Sequence, residues 1–190
     1  MRIIVACLAF LVCSSSHAAW LRGNLHTHTL ESDGDSTPEE VARWYRDHGY
    51  DFLVITDHDK VTKIAAPPGL VLIPGEEVTD RLPKRSLHVN AIGITSAIPP
   101  QHGTTIVEVL QRNVDAVRKA GGIALINHPN FGWAFGAQEL RQIEGAALLE
   151  IASGHPYVNM LGPPPVEEMW DVLLTAGSAS TVWPSTTCII

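Results

Sequence analysis

Short apolar runs alternate with stretches of helical period along this chain. Leu21 to His26, Asp51 to Ile55, Leu70 to Ile73, Leu87 to Ile94, Ile123 to Asn127 and Ala146 to Ile151 each read as a strand. Helix starts are well marked. Thr37, Pro38 and Glu40 form a capping-box pattern with proline at the first helical position, ahead of Val41, Trp44, Tyr45 and His48 on one face, and Gly49 is placed to stop the helix. Thr105 and Glu108 open a second helix that runs to about Ala120, with Ile106, Val109, Leu110, Val114 and Val117 as its apolar stripe and Gly121-Gly122 at its end. A last helix covers about Val166 to Ala176. Pro67-Pro68-Gly69 breaks the chain, and Leu82-Pro83-Lys84-Arg85 reads as an exposed loop. The alternation predicts βα units around a mainly parallel sheet, with no internal repeat.

Side chains suited to metals recur where these strands end. His26 and His28 stand two apart, and on an extended chain residues i and i+2 share a face, so both imidazoles can reach one ion. Thr56-Asp57-His58-Asp59 follows the second strand, Glu76-Glu77 the third, and His128-Pro129 the fifth. In barrel-type α/β folds, that rim is where sites are built. His88 is the exception, since it stands near the start of its run. Taken singly, the pieces have plain alternatives: strand histidines, an Asp-rich turn, and a tight turn at Ser32-Asp33-Gly34-Asp35. Their order along the chain is the more specific signal.

Composition narrows the picture. The 190 residues suffice for one domain with a sizeable core, and 45% apolar with 17% charged residues argues against disorder. A net charge of −7 argues against bulk electrostatic binding of nucleic acid. Met1-Arg2 followed by the apolar run Ile3 to Cys13 and by Ser16-His17-Ala18 reads as a signal peptide over residues 1–18, cut before Ala19. That run is too short for a permanent membrane anchor, and it implies a periplasmic or secreted protein. Cys7 and Cys13 leave with the signal. Cys188 alone remains, so no disulfide forms within one mature chain.

Leu25-His26-Thr27-His28-Thr29, Ser32-Asp33-Gly34, the run Gly49 to Asp59, Pro74-Gly75-Glu76-Glu77, Leu87-His88-Val89 and Asn127-His128-Pro129 closely resemble the motifs of the PHP (polymerase and histidinol phosphatase) family. The resemblance runs from about Gly23 to Gly177, within a domain of residues 19–177 that precedes a Ser/Thr-rich tail, 178–190. It implies a distorted (β/α)7 TIM-like barrel with up to three divalent ions of Zn, Mn or Fe. It also implies phosphate mono- or diester hydrolysis by a metal-activated hydroxide, acting on a small phosphorylated substrate. By the family pattern, His26 and His28 hold one ion, and Glu77 bridges it to a second held by His88 and His128. Asp33 and His58 hold the third. Glu76 competes for the bridge, although strand alternation lets only one of the pair face inward. Asp57 and Asp59 are read as supporting groups, and Glu150 as a solvated or supporting carboxylate. Phe131 or Trp133 lines the pocket or packs in the core.

The family also has a late Asp-x-His, which would complete the first and third sites. Residues 178–190 carry no Asp, His or other charged residue. This predicts an incomplete barrel lacking its last strand and helix, with only the second ion fully ligated, either from a truncated or frameshifted gene or because the tail is a natural end and the site runs with fewer metals. Two other readings stand beside the phosphoesterase. One is a weakly active or non-catalytic remnant that binds metal. The other is an amidohydrolase-type metallohydrolase, for which a bridging lysine is wanted, whereas Lys60, Lys63 and Lys84 sit in predicted loops.

Overall fold

The computed structural model describes residues 20–154 and 166–177 and the backbone of 181–183. The predicted signal segment, residues 1–18, lies outside the described residues. Seven strands form one sheet in sequence order: β1 (Gly23–Asn24), β2 (Phe52–Ile55), β3 (Val71–Leu82), β4 (Arg85–Ile92), β5 (Ile123–Ile126), β6 (Leu148–Glu150) and β7 (Thr181–Trp183). The helices are α1 (Pro38–Asp47), α2 (Ile106–Lys119), α3 (Ala137–Leu140) and α4 (Val166–Thr175), with one turn of 3-10 helix at Phe131–Trp133. None of the described helices is long and apolar enough to cross a membrane.

Local chemistry sets the helix starts. Thr37 and Glu40 exchange both bonds of a capping box, at 3.3 Å for Glu40 N–H to Thr37 and 3.0 Å for Thr37 N–H to Glu40. At α2 half of that pattern holds. Thr105 accepts the Glu108 N–H at 3.1 Å, but the Glu108 carboxylate reaches back one residue further, to the N–H of Thr104 at 2.8 Å. Either arrangement satisfies N–H groups that the first turn of a helix leaves without partners.

The sheet is mainly parallel, as expected, but one strand departs from the βα pattern. β3 pairs antiparallel with β4, and β4 antiparallel with β5, whereas the other neighbours are parallel, so β4 alone runs against the rest. Leu82-Pro83-Lys84-Arg85, read from sequence as an exposed loop, is the tight turn of this hairpin, with Leu82 facing Arg85. The third strand does not end near Ile73 but continues through Pro74-Gly75. Pro74 is tolerated there because its backbone faces β4 at the very end of that ladder, beyond the Gly75–Ile92 pair, where its carbonyl accepts the Gly93 N–H at 2.7 Å, so the missing N–H falls where the β3–β4 ladder stops. A seventh strand also corrects the prediction that the last one is missing: β7 pairs parallel with β6. No pairing joins β7 to β1 among the described residues, and the sheet is that of an incomplete barrel.

Alternation along the strands sorts the side chains between two faces. Leu53 and Ile55 of β2 pack outward under Val41, Ala42 and Tyr45 of α1. Leu87, Val89 and Ala91 of β4, Ala124 and Ile126 of β5 and Leu149 of β6 pack outward against α2 and α4. The residues between them turn inward. Leu25, Val54, Ile92 and Leu125 form one inner cluster, although the β1–β2 side and the β4–β5 side from which they come are separated in the sheet by β3, which requires the sheet to curl. The Asn90 side-chain amide donates to the Leu25 carbonyl at 3.0 Å across the same interior.

Gly75 marks how tight that interior is. A Cβ there would lie 2.6 Å from Val54 Cγ1 and 2.8 Å from the Ala91 carbonyl oxygen. Gly75→Ala is therefore expected to lower stability by about 1–3 kcal/mol in denaturant unfolding, by overpacking. A variant as stable as the parent would contradict the close approach of β2, β3 and β4.

Candidate metal centre

Glu77 occupies the middle of the inner face, with 1% of its surface exposed. Its Oε2 lies 3.4 Å from His26 Nε2, 3.1 Å from His28 Nε2 and 3.2 Å from His58 Nδ1. Its Oε1 lies 2.9 Å from His88 Nδ1, 3.3 Å from His128 Nε2 and 2.6 Å from the Asn127 amide nitrogen, which donates to it. Five imidazoles therefore surround one buried carboxylate. Asp33 stands at the mouth, half exposed, 3.0 Å from His28 Nδ1 and 3.4 Å from His58 Nε2. Every residue singled out in the sequence as a metal ligand is brought into this one cluster.

Four overlapping sets offer their ligand atoms close enough together to hold an ion: His26, His28 and Glu77; Glu77, His88 and His128; His28, Asp33 and His58; and His26, His128 and Glu150. The first two share Glu77, as the family pattern implies. The third contains His28 besides Asp33 and His58, a proximity that sequence reasoning missed. The fourth contains Glu150, which is 1% exposed, so the solvated reading of that carboxylate is corrected. Its Oε2 lies 3.1 Å from His26 Nδ1 and accepts the His128 N–H at 3.0 Å. The signal in the sequence was its place at the end of an apolar strand, which aims it at the same rim. Imidazole and carboxylate together suit Zn, Mn or Fe, so the donor chemistry fits divalent ions.

The antiparallel β4 resolves the placing of His88. It lies near the beginning of its strand, but that strand runs backwards, so its start meets the rim formed by the ends of the parallel strands. The Asn127 N–H donates to the His88 carbonyl at 3.2 Å, which holds the two strands in this register. Alternation separates Glu77 from Glu76. The Glu76 side chain turns to the outer face, where Oε1 accepts the Ile98 N–H at 2.5 Å, and burial pushes its carboxyl up to about 7.

Around the candidate ligands lies a ring of hydrogen-bonded side chains. Asp57 accepts the Thr29 N–H at 2.7 Å, the Thr29 hydroxyl at 2.8 Å and the Ser32 hydroxyl at 2.8 Å, which pins the turn that carries Asp33. Gly34 lets that turn close on the first motif, since a Cβ there would lie 2.6 Å from the His28 carbonyl carbon. Asp59 accepts the Thr79 N–H at 2.8 Å, and the Thr79 hydroxyl lies 2.6 Å from His58 Nδ1. The Asn127 amide also donates to Asn90 at 2.8 Å, a polar layer between the site and the apolar interior. The two aromatics diverge: Trp133 packs against the outer core, while the Phe131 ring lies 5.3 Å from that of His128, at the site.

The charges are strongly coupled. Burial alone would lower the pKa of His26, but Glu150 and Glu77 outweigh it and raise it to about 10. Burial is likewise outweighed at His28, which bonds to Asp33 and Glu77 and rises to about 9. Burial would raise Glu77, yet His88, His26 and His128 hold it well below the usual carboxylate range. The His28 contact depresses Asp33 in the same direction. His58 is lowered, chiefly by burial.

No protein-family model matches the chain. An uncharacterised protein of Methanocaldococcus jannaschii is 28% identical over 159 residues, which cover 73% of this chain and 72% of the relative. The 5'-3' exoribonuclease Rnm of Salmonella typhimurium is 33% identical over 84 residues, 40% of this chain and 29% of that protein. Among solved structures, a two-domain protein of Bacteroides vulgatus containing a predicted PHP-like metal-dependent phosphoesterase superposes with a TM-score of 0.60 at 19% identity, over 89% of this chain and 52% of that one. A protein assigned as a metal-dependent phosphoesterase from Bifidobacterium adolescentis gives 0.61 at 16% identity, over 89% and 88%. An amidohydrolase of Chromobacterium violaceum gives 0.61 at 17%, over 88% and 87%. The chain thus spans about half of the two-domain protein and under a third of the exoribonuclease. These likenesses show the fold: it is the one shared by PHP-like metal-dependent phosphoesterases.

The coupled charges carry a consequence for pH. The folded values of His26 and His28, about 10 and about 9, lie above the ordinary 6.5, so protonation of this pair stabilises the metal-free fold fully below pH 6.5. That contribution is lost as pH rises through about 9 to 10. Glu77 and Asp33 act in the opposite sense and lose their contribution as pH falls below the ordinary carboxylate range. With metal stripped by a chelator, the melting temperature of the chain is expected to fall between pH 7 and pH 10, and the fall is expected to shrink in His26→Ala/His28→Ala. Because ions compete with these protons, zinc affinity should rise over the same range. An unchanged pH slope in the double variant would contradict the assignment.

Proposed function

We propose that the chain is a PHP-family phosphoesterase that hydrolyses phosphate mono- or diesters of small substrates with divalent metal ions. The observation that carries this is the convergence of five imidazoles and Asp33 on the buried Glu77 carboxylate. In this reading His26, His28 and Glu77 hold one ion, Glu77, His88 and His128 the second, and Asp33 and His58, with His28, a third. The ions would be Zn, Mn or Fe. Such ions clamp phosphoryl oxygens and make water a competent nucleophile at neutral pH. The chain's own part would be to gather the imidazoles around Glu77, keep that carboxylate ionised between them, and leave the mouth open at Asp33 and His58. Phe131 would wall the substrate beside His128.

The parent architecture of this reading is the distorted (β/α)7 barrel. We also read residues 1–18 as a cleaved signal, which would place the enzyme in the periplasm or outside the cell. The likeness to an exoribonuclease favours keeping phosphodiesters among the substrates. The amidohydrolase neighbour keeps a second metallohydrolase chemistry in view, but Lys60 pairs with Glu31 in an exposed position rather than bridging ions.

The test is hydrolysis of phosphomonoesters and phosphodiesters by the purified full chain supplied with Mn or Zn. Glu77→Gln and His26→Ala/His28→Ala are expected to lose more than about a hundredfold in kcat/KM, since even groups that merely support ligands cost 10–100-fold. Turnover that survives in both variants, or amide hydrolysis in place of phosphoester hydrolysis, would overturn the proposal.

A further inference from the structure

Glu150 has no place in the ligand set that the sequence motifs define, yet it is held more firmly than Asp33. Its side chain has no solvent exposure, and one oxygen does two things. Oε2 lies 3.1 Å from His26 Nδ1 and accepts the His128 backbone N–H at 3.0 Å. His26 turns its other nitrogen, Nε2, toward His28 and Glu77, at 3.0 and 3.4 Å. His128 turns its own Nε2 toward the other oxygen of Glu77, at 3.3 Å.

We infer that Glu150 is a positioning residue whose single carboxylate oxygen aligns one ligand of each of the two ions that Glu77 joins. The inference rests on the metal-centre reading above. An imidazole that donates Nδ1–H to a carboxylate is fixed in one tautomer and one ring orientation, and its Nε2 lone pair is left for a metal. The bond to the His128 N–H fixes the backbone from which the second imidazole projects. His26 follows β1, His128 follows β5 and Glu150 ends β6, so the oxygen also ties the end of β1 to the β5–β6 pair, which the sheet ladder does not pair with β1 directly. Because Oε2 already faces an imidazole nitrogen and a backbone N–H, hydrogen bonding rather than coordination is its use.

The substitutions that separate these roles are Glu150→Ala and Glu150→Gln. Glutamine can place its amide oxygen where Oε2 stands and keep both acceptor contacts, whereas alanine keeps neither. Zinc dissociation constants of the full chain, measured by chelator competition, are expected to rise about 10–100-fold in Glu150→Ala, for both ions. In Glu150→Gln they should stay within about threefold of the parent. The zinc-loaded parent is also expected to show a low-field, slowly exchanging His26 Nδ1–H resonance that persists in Glu150→Gln and is lost in Glu150→Ala. Equal losses in the two variants would make Glu150 a direct ligand and overturn the positioning role. A lowered melting temperature of the metal-free Glu150→Ala protein with zinc affinity unchanged would reduce Glu150 to a packing group. If the parent itself binds no zinc, or binds it equally well as His26→Ala, the metal-centre reading fails and this inference with it. If the parent binds zinc through His26 and Glu150→Ala matches it, only this inference fails.

Discussion

One buried negative charge organises this protein. The Glu77 carboxylate is closed off from water, and both of its oxygens face imidazole nitrogens between 2.9 and 3.4 Å away. A carboxylate in such a place costs several kcal/mol unless positive charge or hydrogen bonds compensate it. The five histidines, and the ions they are suited to hold, supply that compensation. The surrounding structure follows from the need to bring them to one point. His26 and His28 come from the end of β1, His58 from the end of β2, His88 from the start of β4 and His128 from beyond β5. Only a sheet that curls can aim those elements at a residue in the middle of β3.

The curl rests on the sorting of side chains by strand alternation. In β3, Glu77 faces inward while Glu76 and Val78 face outward. In β4, His88, Asn90 and Ile92 face inward while Leu87, Val89 and Ala91 pack under α2. In β6, Glu150 faces inward while Leu149 packs outward. The interior is thus layered, with Val54, Ile92 and Leu125 at the bottom, the Asn90–Asn127 pair above them, and the histidines around Glu77 at the rim. A one-residue slip in any strand would put a ligand in the outer core and a leucine or valine in the site, so the core and the site specify the same register.

Much of this was legible in the sequence. The spacing of His26 and His28, the parity of Glu76 and Glu77, and the capping box at Thr37 are local patterns, and local patterns survive reading one residue at a time. The hairpin did not. Pro74-Gly75 looks like the end of a strand, and the reason it is not depends on where the β3–β4 ladder stops, a long-range fact. The position of His88 near the start of its run was the available clue, because a ligand at the wrong end of a parallel strand is a ligand at the right end of an antiparallel one. Glu150 was visible only as a polar residue closing an apolar strand. What raised it above a surface carboxylate was burial against His26, more than a hundred residues away in the chain. The short β7 was missed for another reason: Thr181-Val182-Trp183 are strand-favouring residues, but a run of three closed by Pro184 is too short to show a strand period.

The central claim is that Glu77 joins ions rather than merely balancing protonated histidines. The most direct measurement is the bound-metal content of the full chain and of Glu77→Gln, by elemental analysis after exhaustive dialysis against trace metal. The account predicts more than one divalent ion per chain in the parent and a loss of most of them in Glu77→Gln, with the metal-free fold of the variant intact. A parent that retains no ion, or a variant that retains as many as the parent, would contradict it.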